Sequence, residues 1–240
     1  DQLRVKKGPL RFGETPITLH QMNPEQALFA LDYYTNAGDL ICDPFNGRGT
    51  TAITSLHLNR KFVGWEINPV SHQKTTEVLS NNVDADADDW HLHLGCGCEM
   101  KEYADKEEVF DGVFTSPPYY LKAEKYNDIP EDLCNMKLDA FRSKIDELFG
   151  NLSRLIKTSN YEDKIFHPII MVLGTARDKE NGIIDMAFDF QEIARRHNLK
   201  LWDQQFIEIH NPQVWTSFQR NYEMRFVCKN YESQLVWVKF

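Results

Sequence analysis

The chain has 240 residues, a formal net charge of −9 and five cysteines. That length fits one α/β domain, and 42% hydrophobic with 12% aromatic residues supports a substantial core. No stretch approaches the roughly 18 apolar residues of a membrane span, and the acidic balance rules out a surface that is basic throughout.

In chain order the pattern alternates. Strands are predicted near 39–43, 61–66, 90–94, 109–115, 165–174, 202–209 and 234–239, and helices near 24–36, 50–59, 69–81, 138–157 and 184–197. The helix at 138–157 places Leu138, Phe141, Ile145, Leu148, Phe149, Leu152 and Leu155 on one stripe, which predicts packing on a sheet. Asn198 is a suitable stop for the last helix. Strands that alternate with helices predict an α/β fold, a doubly wound, mostly parallel seven-stranded sheet. The last pair, with Asn211-Pro212 between them, is expected as a C-terminal antiparallel hairpin. No internal repeat or linker appears, so a single domain is expected over 1–240. Asp1–Lys7 lacks a signal-peptide core, and the first residue is not Met, as in a chain trimmed at its start.

Three segments carry chemistry. The first is Leu40-Ile41-Cys42-Asp43-Pro44-Phe45-Asn46-Gly47-Arg48-Gly49-Thr50-Thr51, a short strand, a glycine turn and a helix start. Gly47 and Gly49 allow positive φ and close backbone approach, which a ligand at a strand's carboxyl end needs. The spacing matches neither a phosphate loop nor the three-glycine dinucleotide fingerprint. The second is Lys61–Glu66, whose closing acid is placed to accept from ribose hydroxyls. The third is Thr115-Ser116-Pro117-Pro118-Tyr119-Tyr120 after the apolar Val113 and Phe114. Two prolines cannot continue a ladder, and they hold the preceding backbone extended. The product is a stiff turn with outward carbonyls beside an aromatic ring, suited to a planar group with an exocyclic amine.

Together these segments resemble the amino-directed DNA methyltransferases of the Ser-Pro-Pro-Tyr type, which use S-adenosylmethionine to methylate N4 of cytosine or N6 of adenine. Asp43, Pro44, Phe45, Gly47, Gly49, Thr50 and Thr51 are similar to the family's cofactor loop, and Glu66 with Asn68 to its ribose motif. Ser116, Pro117, Pro118 and Tyr119 are similar to its catalytic motif. Asn23, in the segment Leu19–Gln26, resembles the helix start before the cofactor loop. The resemblance runs from about residue 15 to 240, with Arg220-Asn221-Tyr222-Glu223 and Leu235–Lys239 similar to the closing hairpin. The cofactor loop precedes the catalytic loop here, the reverse of many relatives, and both are expected at neighbouring strand ends. A family acid near the cofactor's adenine is replaced by Cys96, while Asp84, Asp86, Asp88 and Asp89 come too early. Adenine contacts are then expected to weaken or to come from elsewhere.

The resemblance implies methyl transfer to the exocyclic amine of a base flipped out of double-stranded DNA. Ser116 and the Pro117 carbonyl would accept from the amine and Tyr119 would stack on the base. Serine in place of aspartate favours cytosine N4, with adenine N6 the alternative. A catalytically silent subunit of a DNA-modifying complex is the third reading. No large target-recognition segment is evident. Candidate loops are 120–137, 175–183 and 210–231, the last holding Trp215, Phe218, Arg220, Tyr222 and Arg225. A homodimer or a partner subunit could supply recognition instead. Residues 84–111 are acidic and are expected to form a solvated face away from DNA. Lys122, Lys125, Arg177, Lys179, Arg220, Arg225 and Lys229 are candidates for a local positive surface. The five cysteines read as reduced thiols, which implies an intracellular, DNA-associated protein. Cys96 and Cys98 lack the further ligands of a zinc site, so no metal is expected; without a membrane-length apolar stretch, no membrane partner is expected either.

Overall fold

The computed structural model describes residues 22–82, 86–120, 128–178, 180, 182–208 and 231–240. Nine strands and five α-helices are found among them. The strands are β1 (Leu40–Asp43), β2 (Lys61–Glu66), β3 (Trp90–Leu94), β4 (Gly112–Thr115), β5 (Ile169–Leu173), β6 (Thr175–Asp178), β7 (Gly182–Asp185), β8 (Lys200–Glu208) and β9 (Tyr231–Val238). The helices are α1 (Pro24–Tyr34), α2 (Thr50–His57), α3 (Pro69–Asn82), α4 (Leu138–Leu155) and α5 (Met186–Arg196).

Seven strands form one sheet in the order β3-β2-β1-β4-β5-β9-β8. All pairs from β3 to β5 are parallel, and β9 runs antiparallel to both β5 and β8. This is the expected doubly wound sheet with its antiparallel C-terminal pair. Both faces are covered, so the central strands are apolar on alternate residues in both directions. Cys42, Val63, Val113, Ile169, Met171, Leu235 and Trp237 pack with α4 and α5. Ile41, Phe114, Ile170, Val172 and Val236 pack with α1. Phe62 and Leu92 pack with α2 and α3. The α4 stripe behaves as its spacing predicts: Phe141, Ile145, Leu148, Phe149, Leu152 and Leu155 are buried.

Several boundaries differ from the sequence expectation for local reasons. Helix α1 ends two residues early. Arg60 inserts at its last turn and donates to the Leu31 and Thr35 carbonyls, at 3.3 and 2.7 Å, and to Leu58 O at 2.7 Å. A buried guanidinium satisfied by the open carbonyls of a helix end also favours the helix dipole. Strand β4 starts at Gly112, because Phe110 makes only an isolated bridge to Ile156. Strand β5 starts after Pro168, which has no N–H to donate. The expected loop at 175–183 is instead part of the hairpin β6–β7. Helix α5 therefore begins at Met186, where Asp185 caps the amides of Ala187 and Phe188 at 3.1 and 3.3 Å. Its end agrees with expectation, since Asn198 adopts φ 59°.

The chain winds outward from β1 to β3, then crosses back to place β4 on the other side of β1. That reversal is the topological switch point, where ligands of such sheets bind beyond the carboxyl ends of the strands. Strand β9 runs the opposite way, so its first residues share this edge. Asp86 and Asp88 precede β3 at the opposite edge and are exposed.

Candidate active site

A cavity of about 1070 Å³ opens at the switch point. The glycine turn after β1, Glu66 with Asn68, and Ser116–Tyr119 all line it, as do Asn23 and Cys96. Gly49 is not in the wall itself; it sits behind it as the N-cap of α2 with φ 83°.

The β1 turn is held by its own first residue. Asp43 Oδ1 accepts from the Phe45 amide at 2.9 Å and from the Thr115 hydroxyl at 2.5 Å. One buried carboxylate thus shapes the cofactor loop and ties the ends of β1 and β4 together. Burial pushes its carboxyl pKa up, against the pull of these donors. Gly47 has φ 53° and Gly49 φ 83°, both left-handed. A Cβ on Gly49 would lie 2.7 Å from Thr75 Cγ2, and Thr75 Oγ1 donates to Gly47 O at 3.0 Å. Helix α3 therefore braces the turn from behind. Gly49 offers α2 no side-chain cap, so the first amides of that helix are left without one from that residue.

Glu66 ends β2 in the cavity wall. Its Oε1 accepts from the Asn68 amide at 2.7 Å, and Asn68 Oδ1 caps α3 by accepting from Val70 and Ser71 at 2.9 and 3.3 Å. Burial raises the Glu66 pKa from 4.5 to about 7. The Asn68 and Gly47 amides act against that rise, and the carboxylates of Asp132 and Asp43 add to it. Asn23 caps α1, accepting from the Glu25 amide at 3.0 Å. The Cys96 thiol is held down to about 7, chiefly by a hydrogen bond with Cys98.

Ser116 Oγ donates to Val172 O of β5 in a long contact of 3.4 Å. Pro117 is buried, while Pro118, Tyr119 and Tyr120 are half-buried. The two tyrosines do different things. Tyr120 packs edge-on against Phe141 of α4, with ring centroids 5.7 Å apart. Tyr119 faces the cavity and donates its hydroxyl to Glu232 Oε1 on β9.

Several cavity residues had no signal in the sequence reading. Gly97 lies where a Cβ would sit 2.0 Å from Pro44 O, so the segment after β3 touches the cofactor loop through bare backbone. The flanking Gly95 and the two cysteines were the only hint. Asp132 and Leu133 enter from the turn before α4, and Glu208 and Glu232 from β8 and β9. Lys122, Lys125, Lys179 and residues 209–230, with Trp215, Phe218, Arg220, Tyr222, Arg225 and Lys229, lie outside the described residues. Arg177 falls on β6 of the hairpin. Among the described residues, Cys42, Cys96, Cys98 and Cys134 are free thiols, no group of three or more candidate ligands could hold a metal, and no helix is long and apolar enough to cross a membrane.

S-adenosylmethionine fits this wall. Left-handed glycines keep the β1 turn low, a half-buried acid closes β2, and the buried Asn46 Oδ1 has no partner among the described residues. The fold and the glycine turn after β1 resemble those of S-adenosylmethionine-dependent methyltransferases.

A short part of the chain also matches a family model. Residues 20–77, which hold the cofactor loop and Glu66, match the family model described as DNA methylase, of the N6/N4 type. That is the amino-directed DNA methyltransferase family of the sequence resemblance; the match does not reach the Ser-Pro-Pro-Tyr loop. No curated protein matches the sequence. Solved structures share the fold at low identity. A methyltransferase from Methanosarcina mazei is 10% identical at a TM-score of 0.57, with 88% of this chain and 97% of that one covered. A TehB-like methyltransferase from Corynebacterium glutamicum is 13% identical at 0.52, with 92% and 89% covered. The cyclase SpnF is 11% identical at 0.61, with 90% and 81% covered. The last shows that the fold alone does not fix the reaction.

Proposed function

We propose that this chain, as a single methyltransferase domain, methylates the exocyclic amine of a base flipped out of double-stranded DNA, with cytosine N4 the favoured target. The observation that carries the reading is the meeting of Ser116–Tyr119 with the cofactor loop in one cavity, joined by the Asp43–Thr115 hydrogen bond. When bound, S-adenosylmethionine supplies an electrophilic sulfonium methyl. The protein's task is to hold and prepare the amine. An aryl amine is a poor nucleophile because its lone pair is shared with the ring. Acceptors placed at its N–H groups favour a pyramidal nitrogen with a localised pair. Ser116 suits this role because its single proton is directed at Val172 O, which leaves its lone pairs to accept. The Pro117 carbonyl would take the second N–H. Tyr119 would supply a stacking face for the flipped ring.

Glu66 would accept from the ribose hydroxyls, and Asn23, Phe45, Asn68 and Cys96 would complete the cofactor wall. Serine, uncharged, favours cytosine over adenine in this reading. Target recognition would come from the segments 120–137, 175–183 or 210–231, or from a second subunit. The test is incubation with methyl-labelled S-adenosylmethionine and unmethylated duplex DNA, followed by digestion to nucleosides. Label in N4-methylcytosine supports the reading. Label in N6-methyladenine moves the target base. Bound cofactor with no labelled nucleoside contradicts it.

A further inference from the structure

We propose that Glu232 is a positioning residue that fixes the plane of the Tyr119 ring, and so sets the rate of methyl transfer without contributing to cofactor affinity. The inference rests on the reading of Tyr119 as the stacking surface for the acceptor ring.

The topology brings the two residues together. Tyr119 follows β4, and Glu232 is the second residue of β9. They are 113 residues apart, and β5 lies between their strands in the sheet. Because β9 runs antiparallel, its first residues reach the edge where β4 and β5 end. Glu232 pairs with Ile207 of β8, and the next residue, Ser233, pairs with Leu173 at the end of β5. A carboxylate is thereby carried on regular sheet to the rim of the cavity, where the Tyr119 hydroxyl meets it.

A tyrosine ring at a cavity mouth turns about two side-chain bonds. Here three constraints act on it. Pro117 and Pro118 stiffen the backbone that carries it. The partly buried ring leans on the core formed with α4 and α5. Its far end is tied to Glu232. A phenol donating to a carboxylate is a charge-assisted bond, stronger than a neutral pair. An acceptor base that must face a methyl donor depends on the plane on which it rests, and a misplacement of about 1 Å can cost about 100-fold in rate. Glu232 reaches Tyr119 from β9, on the far side of β5 from β1 and β2, so removing the latch should leave cofactor affinity nearly unchanged.

The test uses the full chain with Glu232→Ala, Glu232→Gln, Tyr119→Phe and the Glu232→Ala/Tyr119→Phe pair. Three quantities are read: S-adenosylmethionine affinity by calorimetry, single-turnover methyl transfer to duplex DNA, and the Cζ resonance of 13C-labelled Tyr119. Glu232→Ala and Tyr119→Phe should each slow transfer by about 10- to 100-fold, with cofactor affinity within about twofold. The double variant should be no slower than either single one, as for two ends of one contact. Glu232→Gln, whose amide oxygen also accepts, should restore most of the rate. Transfer at the parent rate in Glu232→Ala, or losses that multiply in the pair, would overturn the proposal. The Cζ resonance should move in Glu232→Ala whether or not DNA is the acceptor. If it stays in place, the latch is wrong. If it moves while the parent chain labels no nucleoside, the latch stands and the DNA reading fails.

Discussion

The two halves of the cavity are built in different ways. The half proposed to bind the cofactor is local: Asp43 holds Phe45, Glu66 holds Asn68, and β1, α2 and β2 follow one another within 27 residues, from 40 to 66. The half proposed to hold the acceptor base is assembled from distant strands: Ser116 meets Val172 and Tyr119 meets Glu232. A binding wall made of neighbouring residues forms from one βαβ unit. A reacting surface made across β4, β5 and β9 exists only once the whole sheet is closed. The halves touch at Asp43–Thr115.

The largest expected effect lies inside the β1–β3 half, where Gly97 meets Pro44. Gly97→Ala puts a methyl group into the Pro44 carbonyl, and overpacking of this kind costs about 1–3 kcal/mol. Melting should fall by several degrees and cofactor binding should weaken sharply, as seen by scanning calorimetry and titration. Unchanged melting and affinity would mean that the two loops are not in contact.

Next come two substitutions that should separate the halves. Gly47→Val forces a β-branched residue to φ 53° and should abolish cofactor binding. Tyr119→Ala should leave cofactor affinity nearly intact while slowing transfer. Equal loss of both properties in both variants would show that the division of roles is wrong.

Residue by residue, this division also explains what could be read from the sequence. The glycine turn, Glu66 and Ser116–Tyr119 announce themselves because each is a contiguous motif whose neighbours dictate its geometry. The strand and helix pattern was equally legible, since burial on both sheet faces leaves continuous apolar runs. Glu232 and Asp132 were not legible, because a lone acid becomes a site residue only through its position in the sheet. The β6–β7 hairpin was missed because Gly182, at φ 70°, was the main local sign of its turn.

A subtler separation comes from pH. The Glu66 carboxyl, raised to about 7 from 4.5, keeps a proton in the folded chain that it loses in the unfolded one. Glu66 therefore costs stability progressively as pH rises from about 4.5 to about 7, and the cost is complete above that range. Ribose hydroxyls donate most strongly to the ionised form, so cofactor affinity should rise between pH 6 and 8. Glu66→Gln should remove that pH dependence, weaken binding, and melt above the parent at pH 8. A parent affinity flat across this window would remove Glu66 from the ribose site.

The smallest expected effect is chemical. Cys96 titrates near 7 and lines the cavity, whereas Cys42, Cys98 and Cys134 are buried. At neutral pH iodoacetamide should label Cys96 ahead of those three, and bound cofactor should slow the labelling. Peptide mapping would read both.

The central claim is that one cavity joins a local cofactor wall to a catalytic surface drawn from distant strands. A crystal structure of the chain with S-adenosylmethionine tests it most directly. The account predicts the ribose hydroxyls on Glu66 and the sulfonium methyl turned toward Ser116 and Tyr119. A ribose away from Glu66, or a methyl facing away from that loop, would contradict it.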